Sequence, residues 1–298
     1  MITGSEAFHL LFENPVAASG SMGILGDGWT PLHRLYYGIV PMIPVLKTVT
    51  LEPREGNSFR RAWRRIPGGC VNALSLGNRG LDHLLGVLQT RMNRPSVISL
   101  FAANPEEMST IVERVAASEE QFPWILRDIV AFEIDLSCPN HSQANDMEGV
   151  LAASGDLPRP VVAKVGAEVL EGRAAIAAAH AGHIAAVSGI NSVRWEGIFP
   201  RQISPLVKSV GMSGGVSGRP IKTLSLQIIR HLREELPKGF PILGIGGIQD
   251  YDDLIDLHEA GATGFELGTV LTQFPLLAIK LLKRIAREGQ PGRGVMQL

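Results

Sequence analysis

The chain has 298 residues, 45% of them apolar and 19% charged, and a formal net charge of −1. That composition supports a sizeable core and argues against disorder, and the charge balance removes the basic excess that nucleic-acid binding requires. No apolar run reaches the roughly 18 residues of a membrane span, and the start "MITGSEAFHLLFENP" lacks the charged-then-apolar pattern of a secretory leader. Two cysteines, Cys70 and Cys138, make neither a disulfide framework nor a zinc site. The expectation is a cytoplasmic enzyme that is not membrane-bound.

Short apolar runs recur along the chain. In order they are "PVAASG" (15–20), "IPVLKT" (43–48), "SVISLF" (96–101), "AFEIDL" (131–136), "VVAKVG" (161–166), "AAVSGIN" (185–191), "ILGIGG" (242–247) and "GFELGT" (264–269). Runs this apolar, without clean alternation, suit a parallel sheet covered on both faces. Helical stretches lie between most of them. "NPEEMSTIVERVAASEEQF" carries an Asn104 cap, Pro105 at the first helical position and early carboxylates. "EVLEGRAAIAAAHAG" stops at Gly182. "RPIKTLSLQIIRHLREELPKG" places Leu224, Ile228, Ile229 and Leu232 on one face, and "DYDDLIDLHEAGA" again ends at glycine. Strand and helix alternating eight times predict a (β/α)8 TIM barrel, with residues 1–298 as one domain. The stretch 49–80 interrupts this alternation. It is rich in Arg, Gly and Pro, and five arginines from Arg54 to Arg65 read as a solvated face.

In such barrels the chemistry collects at the C-terminal strand ends. Those ends supply Ser19, Lys47, Asp135 to Cys138, Lys164, Asn191, Gly246 and Gly247, and Gly268 and Thr269. Lys47 and Lys164 both lie in apolar runs, and a buried lysine is costly unless it meets an anion. "GGVSG" (214–218) leads into a helix, "GIGGI" ends the seventh run and "LGT" the eighth. Glycine lets backbone N–H groups approach a phosphate, and helix N-termini add partial positive charge. The ligand expected there is a phosphorylated substrate or a cofactor such as FMN.

The motifs "KTVTLEPREGN", "GGCVNALSLGNRGLD", "EIDLSCPN", "GINS", "GGVSGRPIK" and "ILGIGGI…D…AGA…ELGT" stand in one order along the chain. Together they resemble the dihydroorotate dehydrogenases, over about residues 14 to 275. Cys in "SCPN" and the absence of a membrane-associated N-terminal extension resemble class 1, and "SGRPIK" resembles class 1B. The resemblance implies an FMN-bearing flavoprotein of pyrimidine biosynthesis, an oxidoreductase that converts dihydroorotate to orotate. Catalysis would rest on Cys138 as base, with Lys164 and Lys47 beside flavin and substrate. FMN contacts would come from Ser19, Lys47, Thr48, Asp135, Lys164, Ile190, Gly218, Gly246, Gly247, Gly268 and Thr269. Substrate contacts would come from Lys47, Asn72, Ser75, Leu76, Asp135, Asn140, Asn191 and Ser192. The resemblance also implies a separate iron–sulfur flavoprotein as electron acceptor, and homodimers are common among relatives. No metal ligand set is expected in this chain.

Some positions depart from the family pattern. Asp135 stands where the family has Asn, so a carboxylate that only accepts replaces an amide that also donates. Ser75 stands where the family's turn has Gly, and Ser99 or Leu100 replaces an Asn near the end of the third run. Three other readings remain open: a related flavin oxidoreductase acting on another C–C bond, a non-redox lyase or isomerase holding a substrate phosphate, and a flavin-binding protein without turnover.

Overall fold

The structure, a computed structural model, describes residues 7–19, 31–91, 94–137 and 146–292. Cys138 and Asn140 therefore lie outside the described residues.

All eight apolar runs form strands of one parallel sheet. They are β1 (Val16–Ala17), β2 (Ile43–Pro44), β5 (Ser96–Leu100), β6 (Ile129–Asp135), β7 (Val161–Val165), β8 (Ala186–Gly189), β11 (Ile242–Ile245) and β12 (Gly264–Leu267). The sheet order is β2-β1-β12-β11-β8-β7-β6-β5. Parallel bridges Val45–Val97 and Val49–Leu100 join β2 to β5, so the sheet closes on itself. Helices Pro31–Ile39, Leu81–Arg91, Pro105–Gln121, Met147–Ser154, Val169–His180, Lys222–Glu235, Tyr251–Glu259 and Pro275–Glu288 follow the strands in turn and ring the barrel. The helix boundaries follow local chemistry. Asn104 accepts the Glu107 N–H at 2.8 Å, and Asp250 and Asp253 form a reciprocal capping box.

Side-chain alternation along the strands sorts the interior from the shell. Phe132, Ile134, Ala163, Val165 and Val187 pack into the large cluster shared with the helices. Val16, Ile43, Val45, Val97, Ala131, Val162, Ala186 and Leu243 point the other way, into the barrel, and Leu11 and Phe12 plug its lower end. The next inward positions are Ser99, Glu133, Lys164, Ser188 and Glu266. The barrel is thus apolar below and polar above, and that polar layer is the floor of its mouth.

The 49–80 insertion is more ordered than its composition suggests. β3 (Trp63–Ile66) and β4 (Gly69–Asn72) form a hairpin over a Pro67–Gly68 turn. The hairpin pairs with β10 (Gly215–Gly218), and β10 pairs with β9 (Val193–Arg194), making a four-stranded antiparallel sheet. "GGVSG" is therefore mainly a strand rather than a loop. A 3-10 turn, Arg219–Ile221, separates it from helix Lys222–Glu235. Val71, Val193, Val216 and Ile221 form their own core beneath this sheet. Of the five arginines expected on a solvated face, Arg60, Arg61 and Arg65 are exposed whereas Arg54 and Arg64 are half-buried, and Arg65 lies 5.2 Å from the Phe274 ring centre. Among the described residues no helix is long and apolar enough to cross a membrane.

Candidate active site

A cavity of about 550 Å³ opens between the barrel mouth and the antiparallel sheet. Its walls include Ser19, Lys47, Thr48, Asp135, Lys164, Ile190, Gly218, Gly246, Gly247, Gly268 and Thr269. They also include Asn72, Ser75, Leu76, Asn191 and Ser192. Residues from both ends of the sequence therefore share one space; of the expected site residues, Cys138 and Asn140 lie outside the described residues.

One side of the cavity is built from backbone. β11 ends in Gly246 and Gly247, with φ of +111° and +83°, in the left-handed half of conformational space that favours glycine. A Cβ on Gly247 would lie 2.5 Å from Lys222 Cβ and 3.0 Å from Lys222 N. The chain here runs tight against the first turn of helix Lys222–Glu235, so the partial positive end of that helix borders the same corner. The Lys222 ammonium turns away to Asp253 and Asp256. Thr269 follows β12 and donates to Ser217 Oγ at 2.9 Å. A space of this volume with a glycine-lined rim fits a phosphate-bearing cofactor the size of FMN.

The floor is ionic. Lys164 is 4% exposed, Glu133 2% and Glu266 0%. Lys164 Nζ donates to Glu266 Oε1 at 2.7 Å and to Glu133 at 3.2 and 3.3 Å. Ser188 donates to Glu266 Oε2 at 2.6 Å, and Ser99 donates to Glu133 Oε1 at 2.9 Å. From Ser99 the chain of hydroxyls continues to Thr48 at 2.9 Å and on to Ser19 at 3.1 Å, at the cavity wall. Burial alone would lower the Lys164 pKa, but Glu133, Glu266 and Asp135 outweigh it and the ammonium is held above its usual value. Burial pushes Glu133 up to about 7, against the pull of Lys164 and with the added push of Glu266 and Asp135.

A buried lysine demands an anion, and the sequence points to the ligand as its source. The protein's own carboxylates supply it instead. Glu133 and Glu266 are the residues that the sequence reading misses, although a charged residue in "AFEIDL" or "GFELGT" carries the same signal as the lysine in "VVAKVG".

Asp135 is settled by neutral donors. Its Oδ1 accepts from Ser137 N at 3.1 Å, Ser137 Oγ at 3.4 Å and Asn191 Nδ2 at 3.1 Å. Asn191 in turn accepts the Ser192 N–H at 2.8 Å. Ser75 and Leu76, also on the cavity wall, adopt φ of +57° and +55°. That is the conformation the family's glycine would take freely, at a cost of about 1–2 kcal/mol for an ordinary residue. Asn57 steadies this turn, donating to Ala73 O at 2.8 Å and Ser75 Oγ at 3.2 Å. Cys70, Ser217, Trp63 and His33 also line the cavity; Cys70 and Ser217 stand inside quoted motifs, but the sequence reading assigns none of the four to the site. Cys70 lies 3.2 Å from Ser217 Oγ, and burial pushes its thiol up, so it is a neutral wall group.

A second, smaller cavity of about 290 Å³ adjoins the first at Ser192 and includes Ser137, Gly166 and Glu171. Glu171 accepts the Gly166 N–H at 2.6 Å, and burial pushes it up to about 7.

Comparison with known proteins agrees with this geometry. A family model described as dihydroorotate dehydrogenase matches residues 3–288. The catalytic subunit of dihydroorotate dehydrogenase B (NAD(+)) from Pyrococcus horikoshii is 29% identical over 292 residues, covering 94% of this chain and 89% of that protein. The same subunit from Parabacteroides distasonis is 26% identical, covering 92% and 88%. A ligand-free DHODH from Eimeria tenella superposes with a TM-score of 0.68 over 92% of this chain and 83% of that one, at 18% identity.

Proposed function

Because the chain belongs to the dihydroorotate dehydrogenase family, we propose that it is the FMN-dependent enzyme that oxidises dihydroorotate to orotate in pyrimidine biosynthesis. The observation that carries this is the single cavity in which glycine rim, Lys164 floor and polar wall meet. FMN, when bound, supplies the acceptor for the substrate hydride. Ser19, Thr48, Ile190, Gly218, Gly246, Gly247, Gly268 and Thr269 would hold it. Cys138 takes the proton from the carbon next to the one that loses hydride. A thiol near its ordinary pKa of about 8.5 serves as base once positive charge lowers it, and Lys47, which lines the cavity, would supply that charge. Asn72, Asn191, Ser192, Asn140 and the Ser75–Leu76 turn would orient the substrate ring and carboxylate.

The whole chain acts as one FMN-binding barrel domain in the cytoplasm. The curated relatives are named as catalytic subunits, which supports a separate electron-transfer partner. Two cysteines cannot hold an iron–sulfur cluster, so any such centre belongs to that partner. A homodimer of this chain is the core we expect.

The test is direct. The purified protein should show a flavin spectrum, and anaerobic dihydroorotate should bleach it. A flavin that dihydroorotate leaves oxidised would favour the second reading, a related enzyme acting on another ring. The Asp135–Asn191 bond favours that second reading specifically, because it engages an amide otherwise expected to face the substrate.

A further inference from the structure

Lys164 has three N–H donors. Glu266 and Glu133 engage at least two of them, at 2.7 and 3.2 Å, so at most one is left for the cavity. Around this single ammonium stand Glu133, Glu266 and Asp135, from β6, β12 and β6. Ser99 on β5 and Ser188 on β8 add hydroxyl dipoles, and Lys47 lines the wall above. With every carboxyl ionised the Lys164 site carries −2, and one proton on Glu133 brings it to −1. A lysine that is positive in isolation is thus the centre of a negative floor.

We propose that Glu133 and Glu266 are positioning residues for Lys164: they hold its charge on the protein side, resist reduction of the cofactor above it, and relax that resistance when Glu133 takes a proton. The inference rests on the FMN reading of the cavity. With FMN bound in this cavity, hydride transfer from the substrate would break one C–H bond and leave one added negative charge on the flavin, in the space that Lys164 lines. A lysine already shared between two carboxylates offsets little of it. A proton from solvent converts Glu133 from carboxylate to acid and restores the charge balance. The hydroxyls of Ser19, Thr48 and Ser99 form a continuous path from the cavity wall to Glu133 Oε1, each able to accept and donate. Glu133 suits this role because burial already brings it to the edge of ionisation near neutrality.

The experiment measures the midpoint potential of FMN-loaded wild type, Glu133→Gln and Glu266→Gln by equilibration with a redox dye, from about pH 5.5 to about pH 8.5. Glutamine keeps the shape and the acceptor oxygen and removes the charge. Glu266→Gln should move the equilibrium toward reduced flavin at least tenfold across the range, about 30 mV for a two-electron couple. Glu133→Gln should match wild type at the acid end and depart in the same direction, by a similar factor, at the alkaline end. A purely structural role would not produce that pH signature. Infrared difference spectra of wild type, reduced minus oxidised, should gain the carbonyl band of a protonated carboxyl, and this needs no variant. Unshifted potentials together with an unchanged carboxyl band would overturn the inference while leaving the FMN reading intact. Wild type that binds no FMN would overturn both.

Discussion

Replacing Glu133 by glutamine isolates the cost of a carboxylate in the barrel floor. Burial raises this group from 4.5 to about 7 on folding. A raised acid contributes its stability fully below the unfolded value and loses it as pH rises through the folded value. The window therefore runs from about pH 4.5 to about 7. At about 1.4 kcal/mol per pH unit for one proton, that span of roughly 2.5 units costs the wild type about 3 kcal/mol. That is a large part of a typical stability of about 5–15 kcal/mol. The glutamine side chain of Glu133→Gln would not titrate, but its oxygen would still accept from Ser99 and Lys164. Measured as denaturant midpoints in parallel buffers, the two proteins should be close near pH 5. The variant should lead by about 2–3 kcal/mol near pH 8. Glu171, also pushed up to about 7, titrates in the same sense in both proteins and drops out of the difference. A constant gap between the two curves at every pH would refute the assignment of a protonated Glu133 at acid pH.

Gly268 offers a cleaner probe of the cofactor rim than Gly247, whose Cβ would strike Lys222. Among the described residues a Cβ on Gly268 meets only Ala18 Cβ, at 3.5 Å, and the cost of a side chain there lies in the backbone, whose φ of −114° and ψ of −93° fall outside the usual α and β regions. Gly268→Asp should purify with little flavin while its circular dichroism matches wild type, and full flavin content would move the phosphate elsewhere. Cys138→Ala should keep the bound flavin and lose most of its reduction by dihydroorotate in stopped-flow absorbance, with unchanged kinetics returning the thiol to a packing role. Asp135→Asn keeps the acceptor for Ser137 and Asn191 and removes a charge near Lys164. Flavin reduction by dihydroorotate should then speed up several-fold, and no gain at any pH would mean that Asp135 does not retune the substrate.

The barrel was legible because buried parallel strands write themselves as apolar runs, and all eight runs became strands. The first two shrank to Val16–Ala17 and Ile43–Pro44, because their later residues leave the ladder to line the mouth, as Ser19, Lys47 and Thr48 do. The antiparallel sheet was less legible. Pro67–Gly68 is a turn signal between "WRRI" and "GCVN". The partner that makes this hairpin a sheet is "GVSG", far downstream and indistinguishable locally from a phosphate loop. Non-local pairing of short, glycine-containing segments leaves no periodic trace to read.

The site was legible to a different depth on each face. The glycines of the rim could be read because only glycine serves where chain packs this tightly on chain, as the contact of Gly247 with Lys222 illustrates. The floor could be read only halfway. Lys164 in an apolar strand demands an anion, and the sequence offers two kinds: a ligand, or a carboxylate on another strand. Choosing between them requires register. Lys164 lies beside Asp135 on β6 and Ser188 on β8. Inward alternation then puts Glu133 and Ser188, rather than the apolar residues between, on its own side of the sheet. Glu266 comes from across the barrel, and although its apolar run marks it as a buried charge, no local pattern pairs it with Lys164. A barrel interior makes neighbours of residues 102 positions apart, such as Lys164 and Glu266. Its charge balance is therefore a property of closure. The same lysine in an open sheet would be free to serve the ligand alone, whereas here its hold on the ligand is set by two carboxylates that the barrel brings to it.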